Sequence, residues 1–274
     1  MRDDPDAGRG RPAPAIREEP SAVYGPVFSW RFGSSLGVDL LLHRSVCSFE
    51  CVYCQLGAID VRTTQRGVRV PTAKVERDLE ASAWRSAQVV TFSGSGEPTL
   101  AANLGEAIGL VRRVTGLPIV VLTNAAHLWD PAVRAELGAA TEVCCKLDAP
   151  DTEGLRAINR PVDGSLTIEK IVAGIASLRA EFTGRVSIQV MALPRTMATL
   201  HRLVPLLASL RPHEVQLNVP SRPVPRARTI DARGAHRAFG SGRAWRMIDR
   251  AELEIIRDRI EREAGLDVRI PPAS

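Results

Sequence analysis

Cys47-Ser48-Phe49-Glu50-Cys51-Val52-Tyr53-Cys54 packs three of the chain's five cysteines into eight residues, just after the apolar run Val38 to Leu42. A gap of three residues and then of two lets a tight loop turn three thiolates toward one point. Three soft ligands suit an iron-sulfur cluster better than a closed zinc site, which takes four. A cubane held by Cys47, Cys51 and Cys54 finds no sequence-adjacent cysteine for its fourth iron, which stays open to another ligand. His43, four residues before Cys47, offers the competing arrangement, a Cys3His zinc knot in a non-catalytic metal-binding module. Zinc sites usually bring their ligands as two separated pairs, and this loop does not. A disulfide framework fits less well still. The chain has 274 residues, an odd number of cysteines and no charged-then-apolar leader, so a reducing, cytoplasmic compartment is expected.

From Gly37 onward, short apolar runs alternate with longer segments of helical spacing, the pattern of repeated strand-helix units over a parallel sheet. Candidate strands are Val38 to Leu42, Gln88 to Ser93, Pro118 to Thr123, Glu142 to Leu147, Val186 to Met191 and Val215 to Val219. Between them, apolar residues recur every three or four positions. Leu104, Ile108, Val111 and Val114 form one such stripe, Ile171, Ile175, Leu178 and Phe182 a second, and Leu200, Leu203, Leu207 and Leu210 a third. Pro205 inside the last suggests a kink or a late helix start. Periodicity alone admits either an open doubly wound sheet or a barrel, since both put sites at strand C-terminal ends. An apolar share of 45% over 274 residues can bury one large core. The net charge of +5 comes with clustered arginines, which permits an anionic partner, and no apolar run reaches the length of a membrane span.

A second chemical motif, Gly94-Ser95-Gly96-Glu97, follows the apolar strand Gln88 to Ser93. Its glycines permit positive backbone dihedrals and close ligand approach, and Glu97 supplies an acceptor for an ammonium group. Read locally, it is a glycine-rich turn with an acid at a helix start.

Cys-x-x-x-Cys-x-x-Cys with Tyr53 before the last cysteine resembles the cluster loop of the radical S-adenosylmethionine (SAM) enzymes. Tyr24-Gly25-Pro26, Ser35-Leu36-Gly37-Val38-Asp39, Cys51 to Gly57, Ser93 to Leu100, Leu122-Thr123-Asn124, Lys146-Leu147-Asp148-Ala149 and Asn159-Arg160-Pro161 extend the resemblance. They fall in the order of the wyosine-tRNA-synthase-like branch, over about residues 24 to 225. The resemblance implies an α/β fold, a partial (β/α)6 TIM-like barrel with outer helices over residues 21–220, the cluster loop following its first strand. It implies a [4Fe-4S] cluster on Cys47, Cys51 and Cys54, with SAM chelating the open iron. Gly94, Ser95, Gly96 and Glu97 then hold the methionine end, with Tyr53, Asn124 and Asp148 as further cofactor contacts. The chemistry implied is reductive cleavage to a 5'-deoxyadenosyl radical, fed by a flavodoxin or ferredoxin. The substrate is open between a tRNA base, suggested by the branch, and a peptide or small metabolite. Enzymes that form wyosine are associated with a second, N-terminal cluster, and residues 1–46 contain no cysteine.

Other positions carry plainer expectations. Lys146 can lower its pKa and form a Schiff base, or pair with Asp148, and the ion pair is preferred. Cys144 and Cys145, adjacent on a strand, face opposite ways and read as two buried thiols acting as small hydrophobes. Asn159-Arg160-Pro161 reads either as a plain polar loop or as lining the substrate side, Gln189 and Met191 alternate along the fifth strand, and Arg31 either faces the site or, as preferred, lies on the surface. Residues 1–20 read as a flexible tail. In 221–274, the arginines of 222–246 read either as a solvated loop or as a cover over the barrel mouth. An amphipathic helix then presents Met247, Ile248, Ala251, Ile255 and Ile260 on one side.

Overall fold

The computed structural model of the chain describes residues 19–220 and 248–273, with the backbone of 224–225 and 242–243. The expected tail, Met247 and most of the arginine-rich segment lie outside the described residues. In chain order the elements are β1 (Val23–Ser29), β2 (Gly33–Val38), β3 (Val46–Cys47), β4 (Val61–Arg62), α1 (Thr72–Glu80), β5 (Val89–Phe92), α2 (Leu104–Thr115), β6 (Ile119–Thr123), α3 (Pro131–Glu136), β7 (Glu142–Lys146), α4 (Thr152–Ile158), α5 (Ile168–Glu181), β8 (Arg185–Met191), α6 (Pro194–Leu210), β9 (Glu214–Asn218), β10 (Val224–Pro225), β11 (Gly242–Arg243), α7 (Arg250–Ala264) and β12 (Val268–Arg269).

Eight strands form one sheet in the order β1-β2-β5-β6-β7-β8-β9-β12. All neighbours are parallel except β1, which pairs antiparallel with β2 at one edge. Six strand-helix units therefore curl into a half-barrel with helices outside; the repeating pattern predicts the units, and the family resemblance implies the barrel. The strands are rich in Val and Ile because both faces are covered, and Val90, Phe92, Val121, Val143, Ile188, Val190 and Leu217 are fully buried. The three helical stripes pack on them through Leu104, Ile108 and Val111, through Ile171, Ile175 and Leu178, and through Leu200, Leu203, Leu207 and Leu210. Side chains close the turns into helices: Asp151 accepts from the Gly154 amide at 2.6 Å and Thr167 from Lys170 at 3.3 Å. Among the described residues no helix is long and apolar enough to cross a membrane.

Three expectations shift. The first parallel strand is Gly33–Val38, and Leu40 to Leu42 form a buried turn instead of continuing it. Asp39 causes the change: its Oδ1 accepts from the amides of Leu41 at 2.9 Å and Leu42 at 3.1 Å, offering the backbone an alternative to the sheet ladder. Pro205 does not delay α6, which starts at Pro194 and runs through it. Pro205 lies on the exposed face, where water can satisfy the carbonyl that its missing N–H leaves. In α7 the inward stripe is Leu253, Ile256 and Ile260, and Ile255 is 54% exposed.

The two sheet edges, β1 and β12, do not pair with each other. One side chain spans them. Arg269 in β12 donates to the carbonyls of Arg31 and Trp30, both at 3.0 Å, in the turn between β1 and β2.

Asp39 also accepts from the Ser95 amide at 3.1 Å and the Ser95 hydroxyl at 2.7 Å, so it ties the end of β2 to the loop after β5. Asp39→Ala strips acceptors from three buried amides and should destabilise the fold by about 2–4 kcal/mol. A lower urea midpoint at unchanged slope would show it.

Candidate active site at the strand C-terminal ends

The cysteine loop is stitched between two neighbours through its main chain. On one side, Val46 bridges Gly96 in parallel: the Val46 amide donates to Ser95 O at 2.8 Å and the Glu97 amide to Val46 O at 3.0 Å. Gly96 has φ +146°, and a Cβ there would stand 1.7 Å from Val46 O. A Cβ on Gly94, φ +125°, would stand 2.7 Å from the Asp39 carboxyl carbon. The seating of the cysteine loop thus demands Gly96, and the approach of Asp39 to the loop after β5 demands Gly94. On the other side, the Glu50 amide donates to Asn159 O at 3.0 Å, Val52 to Ile158 O at 2.9 Å, and Val162 to Ser48 O at 2.9 Å. Asn159-Arg160-Pro161 therefore underpins the cysteine loop, in contrast to the substrate-side alternative.

Two buried carboxylates lock these seams. Glu97 Oε1 accepts from the Thr99 amide at 3.0 Å, the Thr99 hydroxyl at 2.7 Å and the Thr123 hydroxyl at 2.7 Å. Its Oε2 accepts from the Asn124 amide at 2.6 Å. Asn124 Nδ2 in turn donates to Ser48 Oγ at 2.9 Å and approaches Cys47 Sγ at 3.7 Å. Asp148 Oδ1 accepts from the Met191 amide at 2.7 Å and lies 3.1 Å from Lys146 Nζ, which is the ion pair preferred from sequence. Asp148 Oδ2 accepts from the Tyr53 hydroxyl and from Asn159 Nδ2, the latter at 2.7 Å. Asn159 Nδ2 also reaches Cys51 Sγ at 3.4 Å. Lys146 Nζ sits 4.9 Å from the centre of the Tyr53 ring.

All three loop cysteines line one cavity of about 290 Å³ together with Tyr53, Gly94, Gly96, Glu97, Thr123, Asn124 and Lys146. Asp148 does not line it. Its side chain is fully buried. Burial pushes all three thiols up, Cys51 to about 12, with the negative charges of Cys54 and Asp148 adding to the effect there. Left alone, such thiols keep their protons, and a cationic iron core is what would make three buried thiolates stable side by side. The donor set fits a [4Fe-4S] cluster: three sulfurs on one cavity, two of them near side-chain amide groups of the kind that tune clusters. A single-ion site fits less well. Among the described residues no three His, Cys, Asp or Glu side chains are arranged to hold one metal ion. His43, the fourth ligand of a zinc knot, is half-exposed, with Nε2 3.6 Å from Glu19 Oε1.

Gln189 and Met191 line the same cavity. Cys144 and Cys145 are both buried in apolar clusters and face opposite ways, as expected, and Cys144 also lines the cavity, its thiol donating to Gln216 Oε1 at 3.6 Å. Arg31 takes the site-facing of its two readings: the residue is partly exposed, but it lines the cavity and its Nη1 is buried. Sequence reading missed the bracing roles of Asp39, Ser48 and Asn159. Their signal was present only as polar residues at strand ends and in short motifs.

The sequence pattern of the Radical SAM superfamily matches residues 41–207. A UPF0026 protein of Synechocystis sp. is 43% identical over 256 residues, covering 92% of this chain and 96% of that protein. Among solved structures, Streptococcus suis SuiB bound to the precursor peptide SuiA aligns with a TM-score of 0.61 at 15% identity, over 89% of this chain and 50% of that one. A radical SAM methyltransferase from Sphaerobacter thermophilus aligns at 0.57 and 16% identity, over 86% and 65%. This chain spans from half to just under two thirds of those solved chains, and the likeness is one of fold.

Gly96→Ala should unseat the cysteine loop, seen as faster limited proteolysis between Val46 and Tyr53 and as reduced iron uptake on anaerobic reconstitution. Asp148→Ala leaves Lys146 charged, buried and without its carboxylate, and should cost about 3–5 kcal/mol by denaturant unfolding.

Proposed function

The chain belongs to the radical SAM superfamily, whose members use a [4Fe-4S] cluster and S-adenosylmethionine, and from that membership we propose which residues hold the two and what they act on. Cys47, Cys51 and Cys54 hold the cluster. The observation that carries this assignment is that all three line one cavity with Gly94, Gly96, Glu97 and Asn124. The chemistry supplied by that pair when bound is one-electron cleavage of SAM to a 5'-deoxyadenosyl radical, which takes a hydrogen atom from the substrate.

The chain's own residues bind, orient and exclude. Gly94 and Gly96 carry no side chain, so the methionine end can approach their backbone closely. Glu97 Oε2 accepts one hydrogen bond, from Asn124, and we assign its remaining capacity to the methionine ammonium. Asn124 holds the loop at Ser48 and Cys47 and faces the same ligand. Asp148 acts through others: it fixes Tyr53, Asn159 and Lys146, and Lys146 alone of that pair lines the cavity. Phe49, Leu56, Leu122 and Met191 give the cavity apolar walls that keep water from a reactive radical.

A flavodoxin or ferredoxin is the electron donor we infer. For the substrate we infer a tRNA base, supported by the motif order shared with the wyosine-tRNA-synthase-like branch and by the arginines of 222–246. A peptide is the second reading, supported by the likeness in fold to SuiB, which was solved with its precursor peptide. Binding of tRNA that weakens steeply between low and moderate salt favours the first, and no binding at low salt removes it.

Cys51→Ala should lose both the visible absorbance of the reconstituted cluster and 5'-deoxyadenosine formation under reducing, anaerobic conditions. Retention of both overturns the ligand assignment.

A further inference from the structure

Arg31 Nη1 is a buried side-chain nitrogen without a hydrogen-bond partner among the described residues, and it shares its cavity with Lys146, whose Nζ is paired with Asp148 at 3.1 Å. Both are cationic. An orphaned buried donor costs free energy comparable to a lost hydrogen bond, more when charged, so Arg31 in a cavity that holds a second cation calls for an explanation.

They reach the cavity from different directions. Lys146 ends β7, on the side of the cysteine loop, while Arg31 precedes β2 and so starts from the opposite end of a six-residue strand, roughly 20 Å away along the axis. Cys144, two residues before Lys146 and also on the cavity, feels the positive charge of both. The turn carrying Arg31 is fixed by Arg269, which holds the Trp30 and Arg31 carbonyls, and the guanidinium stacks 5.1 Å from the Phe32 ring centre.

Among the described residues Arg31 makes no ion pair with a carboxylate. Glu142, an acid whose charge it feels, accepts from Ser187 Oγ at 2.5 Å and faces Arg185 at 3.9 Å. Glu97 accepts from Thr99, Thr123 and Asn124, and its remaining capacity is the one assigned above to the methionine ammonium. Burial accordingly pulls the Arg31 guanidinium below its ordinary value, desolvation being the largest cause. Lys146 touches Asp148, but that carboxylate already takes the Met191 amide, Tyr53 and Asn159, and Nζ keeps donors toward the cavity. Arg31 also lies ahead of the stretch that the superfamily pattern matches.

We propose that the inner part of this cavity is a substrate subsite for an anion, in which Arg31 and Lys146 grip a carboxylate or phosphate group of the molecule being modified, beside Cys144. This deepens the radical SAM reading and rests on it for the identity of the cavity. A fork of guanidinium donors suits either anion, and Lys146 adds a point charge from the other side. The anchored group would hold the substrate between the arginine and the cysteine loop, with its reacting carbon turned toward the cofactor end.

Calorimetric titration of inorganic phosphate and, separately, of acetate into the cluster-loaded, SAM-saturated, unreduced protein tests this and tells the two anion sources apart. The expected result is binding of at least one anion by the wild type, weakened about tenfold or more in Arg31→Gln and partly restored in Arg31→Lys. Lys146→Gln should weaken it too, which keeps the test decisive if Arg31→Gln fails to fold by circular dichroism. Arg262→Gln, which removes an exposed charge on α7, should bind as the wild type does. Equal affinity in the wild type, Arg31→Gln and Lys146→Gln, or no binding of either anion, overturns the subsite. Formation of 5'-deoxyadenosine by the reduced wild type is scored apart: its absence defeats the radical reading, while anion binding that depends on Arg31 still stands.

Discussion

The buried carboxylate of Asp148 is the constraint on which the site's geometry depends. It collects one main-chain donor from β8, one hydroxyl from the cysteine loop, one amide from the end of α4 and one ammonium from β7. A carboxylate can satisfy that many partners only where they already converge, so its position reports that three strand-end segments have closed around one point. Glu97 does the same on the other flank, joining β6 to the loop after β5 and, through Asn124, to Ser48. The cysteine loop hangs between two acids that touch none of its sulfurs. This division lets the loop be rigid while its thiols stay available.

The same arrangement explains why the glycines of the second motif serve two ends. Their positive backbone dihedrals bring Val46 and Asp39 against the loop after β5, and the bare backbone that results borders the cavity. A side chain at Gly96 would collide with the protein before any ligand arrived. The demand of the fold and the proposed binding role thus fall on the same residue, and local sequence reading cannot separate them.

Much of the fold was legible because the alternation of apolar runs and helical stripes is a direct record of a sheet covered on both faces. The cysteine spacing and the Gly94 to Glu97 stretch were legible because their chemistry is carried within a few residues. Other features depend on partners far away in sequence. Nothing near Asp39 says that its carboxylate will end a strand and tie down Ser95, 56 residues on. Asn159 reads as a loop residue until Cys51, 108 residues earlier, is seen beside it. Arg31, amid aromatics on a hairpin, looks like a surface cation. Only the curl of the sheet turns that hairpin's end into the floor of the cavity. Cys144 and Cys145 were separable by alternation, but which of them faces inward depends on the register of β7 between β6 and β8.

The Arg269 clasp has a bearing on how the chain assembles. It joins positions 238 and 239 residues apart, whereas each parallel neighbour from β5 to β9 meets the next after a single crossover. Closing so large a loop is entropically costly unless the intervening strands have already brought its ends together. The central strands can therefore pair early on local terms, and the clasp forms only once they have. Until then the hairpin bearing Arg31 has no fixed seat, so the chain acquires the means to bind its cofactors before it acquires the floor against which a substrate could be discriminated.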